Sequence, residues 1–243
     1  MEVRSLEKAA SILRSFTAKA PEWGVRDLAA HLSLARATTH AYLSSLAAAG
    51  FLRRTSKGRY RLSWNLAELG AELTASLPWF TPARTALADL ALATNSLGFL
   101  CVLEDARVVC INRALGDPDA PPDALQTDFV LPANATIAGK ILYAHADLPP
   151  PTFVKFTPST ITTLDEWQGE LARVRQQGFA HAVEEWISGY CALGVPLVHD
   201  GDVVAAIGVQ LPTSRFLSRE RSLLARVRRA AEQAVRSRPR PTS

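Results

Sequence analysis

Few residues in this 243-residue sequence could do covalent chemistry, and their spacing argues against each combination. Cys191 with His181 or His199 and Glu184 offers, on paper, a nucleophile, a base and an orienting acid. A cysteine becomes a nucleophile in an electropositive setting that lowers its pKa, and a lone buried cysteine beside unrelated histidines is the commoner case. Glu184 and Glu185 are adjacent, and neighbours on a strand point to opposite faces, so they cannot share a substrate; a solvated loop is expected there. Cys101, Cys110 and Cys191 make an odd count with no CxxC or Cys/His ligand spacing. Buried, reduced thiols are therefore expected, with neither a disulfide framework nor a metal, and no cofactor. GxGxxG, the P-loop, GxSxG and HExxH do not occur. The expectation is a protein that is not an enzyme, the alternative being a small-molecule-transforming enzyme built on Cys191.

Cations at groove-reading spacing make the stronger pattern. Arg36, Ala37, Thr38, Thr39 and His40 open a helical run, where a recognition helix presents side chains to a DNA major groove. Arg36 can fork onto guanine or a phosphate, Thr38 can reach phosphate or base, and His40 can donate to either. Arg26, with Arg53, Arg54, Lys57 and Arg59, would flank the groove and neutralise phosphates. The charges agree. Residues 1–66 hold 11 Lys/Arg against 4 Asp/Glu, net +7; residues 67–216 hold 8 against 17, net −9; residues 217–243 hold 8 against 2, net +6. A basic N-terminal part beside an acidic middle points to a polyanion partner for the first, double-stranded DNA, rather than to a helical hairpin making protein contacts. The C-terminal arginines alternate with Leu223, Leu224, Val227 and Ala231, the pattern of a solvated helix face.

These side chains need elements to position them. From Ser5, a plausible N-cap, apolar residues at Leu6, Ala9, Leu13 and Phe16 give one helical stripe. Residues 25–32 repeat Val25, Leu28, Ala29 and Leu32, and a third run places Leu43, Leu46 and Ala47 inward before Gly50 stops it. FLRRTSKGRYRLS then reads as a hairpin around Ser56, Lys57 and Gly58. Three helices and a basic hairpin make a winged helix-turn-helix over residues 1–66. Leu66, Leu69, Leu73 and Leu77 recur in register, giving a linker helix over 67–81 and a candidate dimer contact. Residues 82–236 read as an α+β domain with a largely antiparallel sheet: a helix from Pro82, strands GFLCVLE and RVVCINRA, a loop at 116–123, the strand QTDFVL, and a helix from about Thr136. A helix stopped by Gly178, strands about the turn Asp200-Gly201, and a last helix capped by Ser218 complete it, with a disordered tail at 237–243. No apolar run approaches the ~20 residues of a membrane span, and MEVRSLEKAA is not a secretory leader, so a cytoplasmic protein without membrane contact is expected.

Several segments in this order resemble the IclR-type bacterial transcriptional regulators: LAAHLSLARATTHAYLSSLAAAGFLRR, GRYRLSWNLAELG, PANATIAGK, TPSTIT, RQQGFAHAVEEWISG and PLVHDGDVVAAIGVQLPTSRF. The resemblance implies a winged-helix DNA-binding domain joined by a helix to a GAF-like effector domain, acting on operator DNA as a homodimer or dimer of dimers. It also implies that a small organic acid binds where an Ala-Ser/Thr-x-x-Gly turn opens a helix, here Ala135, Thr136, Ile137, Ala138 and Gly139. Where such regulators carry an Asp, an Arg-Cys pair and two serines across the pocket, this sequence has Ala182, Cys191-Ala192, and Gly208 with Gln210. Four polar groups have become small or apolar, which disfavours a heavily hydrated acid such as glyoxylate and suits an aromatic or apolar acid, with Trp186, Tyr190 and Phe99 as an aromatic wall and Gln210 fixing orientation. The function so implied is a ligand-responsive regulator of a catabolic pathway, a repressor in preference to an activator.

Overall fold

In a computed structural model, residues 4–116 and 129–236 are described, and the chain divides into two compact units after Ser76. The expected loop at 116–123 and the tail at 237–243 fall, apart from Gly116, outside the described residues.

In the first unit α1 (Arg4–Arg14), α2 (Val25–His31) and α3 (Arg36–Ala48) precede a hairpin of β1 (Leu52–Arg54) and β2 (Tyr60–Leu62), and α4 (Asn65–Ala75) follows. Ile12, Phe16, Leu28, Leu43, Leu46, Leu52 and Tyr60 form its core. The stripe expected on α1 is corrected at its start. Ile12 is the fully buried residue, while Leu6 is 68% exposed, because only the C-terminal half of α1 reaches the other helices. Trp23 was not foreseen. Its backbone bridges Tyr60 as a third strand-like partner, and its indole N–H donates to Ser15 O at 2.8 Å, tying the wing to the end of α1. The linker expected at 67–81 is divided: α4 goes with the first unit, whereas Trp79 is buried in the second.

The second unit is a six-stranded antiparallel sheet between two helical layers. Its elements are α5 (Phe80–Thr94), β3 (Leu97–Glu104), β4 (Arg107–Leu115), β5 (Val130–Leu131), α6 (Ile137–Ala144), α7 (Leu164–Gln177), β6 (Ala180–Val183), β7 (Tyr190–His199), β8 (Asp202–Pro212), a short α8 (Thr213–Phe216) and α9 (Glu220–Arg236). The strand order is β5-β4-β3-β8-β7-β6. Leu193, Leu197, Ile207 and Leu211 pack with α5 and α9 on one face; Ala182, Ala206 and Cys101 pack with α6 and α7 on the other. Capping fixes α7 at both ends. Thr163 and Glu166 form a reciprocal capping box, and Gly178 ends it at φ +73, where a residue with a Cβ is strained. The turn at Asp200 and Gly201 uses φ +51 and +93. α8 lies where no helix is expected from the sequence, and α9 opens at Glu220 behind it.

Candidate functional site

In the first unit, α2 and α3 form a helix-turn-helix whose turn includes Ser33 at φ +53. Helical geometry sorts the expected contact residues. Arg36, Ala37 and His40 are exposed and Thr38 is half-buried, but Thr39 is fully buried and its hydroxyl donates to Ala35 O at 3.1 Å. Thr39 is therefore a core residue of the motif, sharing a face with Leu43 and Leu46, and not a DNA contact. No side chain caps α3, so the amides of its first turn are not taken by a cap. Arg26, Arg53, Arg54 and Lys57 are exposed. Arg59 is committed elsewhere: its guanidinium meets Asp27 Oδ2 at 3.2 Å and donates to Glu22 O at 3.1 Å, bracing the wing against α2.

In the second unit a cavity of about 50 Å³ lies between the start of α6 and the sheet. Of the expected pocket residues, Thr136, Ile137, Ala182, Trp186, Tyr190, Cys191, Ala192 and Gln210 line it, as does Phe99. Ala138, Gly139 and Gly208 do not. Gly139 packs directly on the Ala133 backbone, too close for any Cβ, and its amide donates to the Thr136 hydroxyl at 3.3 Å, so that amide is not free for a carboxylate. Gly208 was expected to leave room for ligand; instead Ile137 fills the space above it, and a Cβ there would lie 2.9 Å from Ile137 Cδ1 and 2.6 Å from Leu193 O.

Arg113 joins the wall instead, with Leu97, Cys110, Leu131, Ala135, Glu185 and Ile187. Of these only Ala135, the first residue of the expected acid-binding turn, was foreseen. The arrival of Arg113 follows from a β-bulge: Leu100 pairs with Asn112, but Cys101 pairs with Cys110, so β4 carries one extra residue. Strict alternation would set Arg113 opposite Cys110; the extra residue puts both on the face shared with Phe99. Its guanidinium and the Gln210 amide stand among apolar walls, an arrangement suited to an organic anion.

Glu185 corrects the expectation of a solvated Glu184-Glu185 loop. The chain turns at Glu184, φ +54, and the hydroxyls of Thr157 and Thr160 each donate to Glu185 O, at 3.2 and 2.6 Å, clasping the turn. Glu185 is thereby buried. Lys140 Nζ meets Glu185 Oε1 at 2.6 Å and Glu170 Oε1 at 3.1 Å and donates to His181 O at 2.9 Å. Burial nevertheless raises the Glu185 pKa, with Lys140 opposing, and Glu185 Oε2 has no hydrogen-bond partner.

The enzyme alternative's cysteine and histidines are not brought together. Cys191 Sγ lies 3.4 Å from the Thr213 hydroxyl, which donates to Glu184 Oε1 at 2.9 Å, while His181 meets Glu220 and His199 meets Asp200, so neither imidazole faces the thiol. Among the described residues no group of three or more His, Cys, Asp or Glu side chains is placed to hold a metal, and no helix is long and apolar enough to cross a membrane.

Both units match known protein families. Residues 5–56 match the family described as IclR helix-turn-helix domain, and residues 71–236 that described as Bacterial transcriptional regulator IclR C-terminal. The chain is 30% identical over 241 residues to the HTH-type transcriptional regulator XynR of Escherichia coli, covering 96% of this chain and 94% of that one. It is 31% identical over 229 residues to the glycerol operon regulatory protein of Streptomyces griseus, covering 88% and 87%. An IclR homolog of Microbacterium hydrocarbonoxydans, solved in complex with 4-hydroxybenzoate, shares the fold with a TM-score of 0.83 at 22% identity over 94% of this chain and 96% of that one. These relatives are named as regulators, not enzymes.

Proposed function

The chain belongs to the IclR family of bacterial transcriptional regulators, and on that premise we propose that it represses a catabolic operon until an aromatic or otherwise apolar organic acid enters the cavity of its second unit. The observation that carries the effector class is the cavity wall. Arg113 and Gln210 offer charge and orientation, whereas Ala182, Ala192 and the aromatic residues Phe99, Trp186 and Tyr190 favour an apolar body. At about 50 Å³ the cavity is far smaller than the ~150 Å³ void known to hold benzene, so an aromatic acid binds by expanding it. That expansion supplies the difference between liganded and free states that any release of DNA requires, typically about 1–3 kcal/mol.

Operator contact is assigned to Arg36, Ala37, Thr38 and His40 on α3, with Arg26, Arg53, Arg54 and Lys57 on phosphates. A single helix-turn-helix reads too few base pairs to be selective, so the acting species is a homodimer or dimer of dimers on a pseudo-palindrome. α4 supports this: it buries no residue within the chain, and Leu69 and Leu73 are 56% and 63% exposed.

The test combines two titrations. Calorimetry with 4-hydroxybenzoate, benzoate, glyoxylate and pyruvate should show the aromatic acids binding more tightly, and Ala192→Leu should abolish their binding; tighter glyoxylate or pyruvate binding removes the effector class. Anisotropy on an oligonucleotide enriched from genomic fragments should show Arg36→Ala weakening binding by about 1–3 kcal/mol and Lys57→Ala flattening the salt slope. Addition of the acid should release DNA; strengthened binding would make the protein an activator or co-repressed regulator instead.

A further inference from the structure

Cys101 and Cys110 stand directly opposite each other across β3 and β4 at the bulge. The Cys110 amide donates to Phe129 O at 2.8 Å, on the β5 side, so its hydrogen-bonding edge is turned away from β3. Cys101 and Cys110 are therefore a non-hydrogen-bonded cross-strand pair, the kind with Cα atoms about 4.5 Å apart. That lies within the roughly 4.4–6.8 Å a disulfide spans. Both side chains belong to one apolar cluster, so they share a sheet face, and the Cys110 thiol donates to Asn112 O at 3.5 Å. Both are free thiols and almost completely buried, and Cys110 lines the cavity beside Arg113.

We infer that Cys110 and Cys101 are a nucleophilic and a resolving thiol that hydrogen peroxide, entering the cavity, converts to a cross-strand disulfide. The cavity suits the oxidant: about 50 Å³ admits a molecule of a few heavy atoms as it stands, without expansion. Arg113 supplies the electropositive setting that a reactive thiol needs. The Cys101 thiol, aided by Arg113 and opposed by burial, brings Cys110 down to about 7, while burial raises Cys101, so Cys110 attacks first. Its thiolate attacks one peroxide oxygen and the O–O bond breaks, giving a sulfenic acid at Cys110 and hydroxide. The Cys101 sulfur then attacks the Cys110 sulfur, forming the S–S bond; its proton and the sulfenate oxygen leave as water. Two thiols lose two electrons and two protons, and one peroxide becomes two waters. Bridging draws Cys110 out of the cavity wall, so the redox state and the shape of the ligand site change together.

Full-length reduced protein treated with one equivalent of hydrogen peroxide at pH 7 should fall from three titratable thiols to one, with an intact mass lower by about 2 Da and full recovery by dithiothreitol. Peptide mapping should place the bridge between Cys101 and Cys110 and leave Cys191 reduced. Cys101→Ser should stop at a Cys110 sulfenic acid trapped by a cyclic 1,3-diketone. Circular dichroism checks that this variant is folded. A bridge involving Cys191, a bridge between chains, an untrapped Cys110 in folded Cys101→Ser, or survival of all three thiols would each overturn the assignment.

Discussion

The two faces of the six-stranded sheet are built from the same strands and do different work. The face against α5 and α9 is filled by Leu193, Leu197, Ile207, Val209, Leu223 and Val227, all at or below 2% exposure. The face against α6 and α7 holds a cavity, a buried lysine with two buried glutamates, and a pair of thiols. Leu193 and Ala192 are neighbours on β7, yet one closes the first face and the other lines the cavity on the second. Stability can thus rest on one surface of a sheet while the other keeps imperfect packing and costly charges for ligand response.

Removing the central cation should perturb the second face most. Lys140→Met strands Glu185, leaves Glu170 with Arg173 alone, and should cost about 3–5 kcal/mol in urea unfolding; adding Glu170→Gln and Glu185→Gln should recover much of it. A loss below about 1 kcal/mol would mean that the two faces are equally tolerant. Next, Leu193→Ala should cost about 2–5 kcal/mol of stability and leave 4-hydroxybenzoate affinity unchanged, the reverse of the pattern expected for Ala192→Leu. Loss of ligand binding in folded Leu193→Ala would couple the faces. Arg113→Met should weaken acid binding by about 1.5–3 kcal/mol, the range for a hydrogen bond to a charged group, read by calorimetry. The smallest effect is one of pH. Because burial raises the Glu185 pKa above the ordinary 4.5, the folded state binds this proton more readily than the unfolded chain. Its contribution is fully present below 4.5 and is lost as pH rises through the folded value. Chemical unfolding across that range should show parent stability falling relative to Glu185→Gln as pH rises; a flat difference would mean that Lys140 cancels the burial.

The two units also differ in how far the sequence revealed them. Apolar spacing at Leu28, Ala29, Leu43 and Leu46, with Gly50 and Gly58 as stops, sufficed for the helix-turn-helix and wing, since these depend on local periodicity. Thr39 was misread because a polar residue within a motif was assigned outward without following the helical stripe to Leu43 and Leu46. In the second unit the turn at Asp200-Gly201 and the helix stop at Gly178 were equally local. Arg113, Glu185 and Lys140 were not: a bulge re-aims the first, a turn clasped by residues 157–160 buries the second, and the third lies inside α6 with partners from α7 and the turn after β6. No pattern along the strand or helix bearing each residue carries that information.

The bulge between Leu100 and Cys101 has a consequence for how such a ligand site changes over generations. Side-chain alternation works as a reading frame along β4, and one supernumerary residue without a bulge would be a frameshift in the stretch beyond it. Excising Ile111 by an in-frame codon deletion would remove the bulge and leave Asn112 opposite Leu100 and Arg113 opposite Phe99, so the guanidinium would keep its place in the cavity wall. The bulge thus suppresses the frameshift, and a one-residue indel at this point can come and go without changing which functional group greets the ligand.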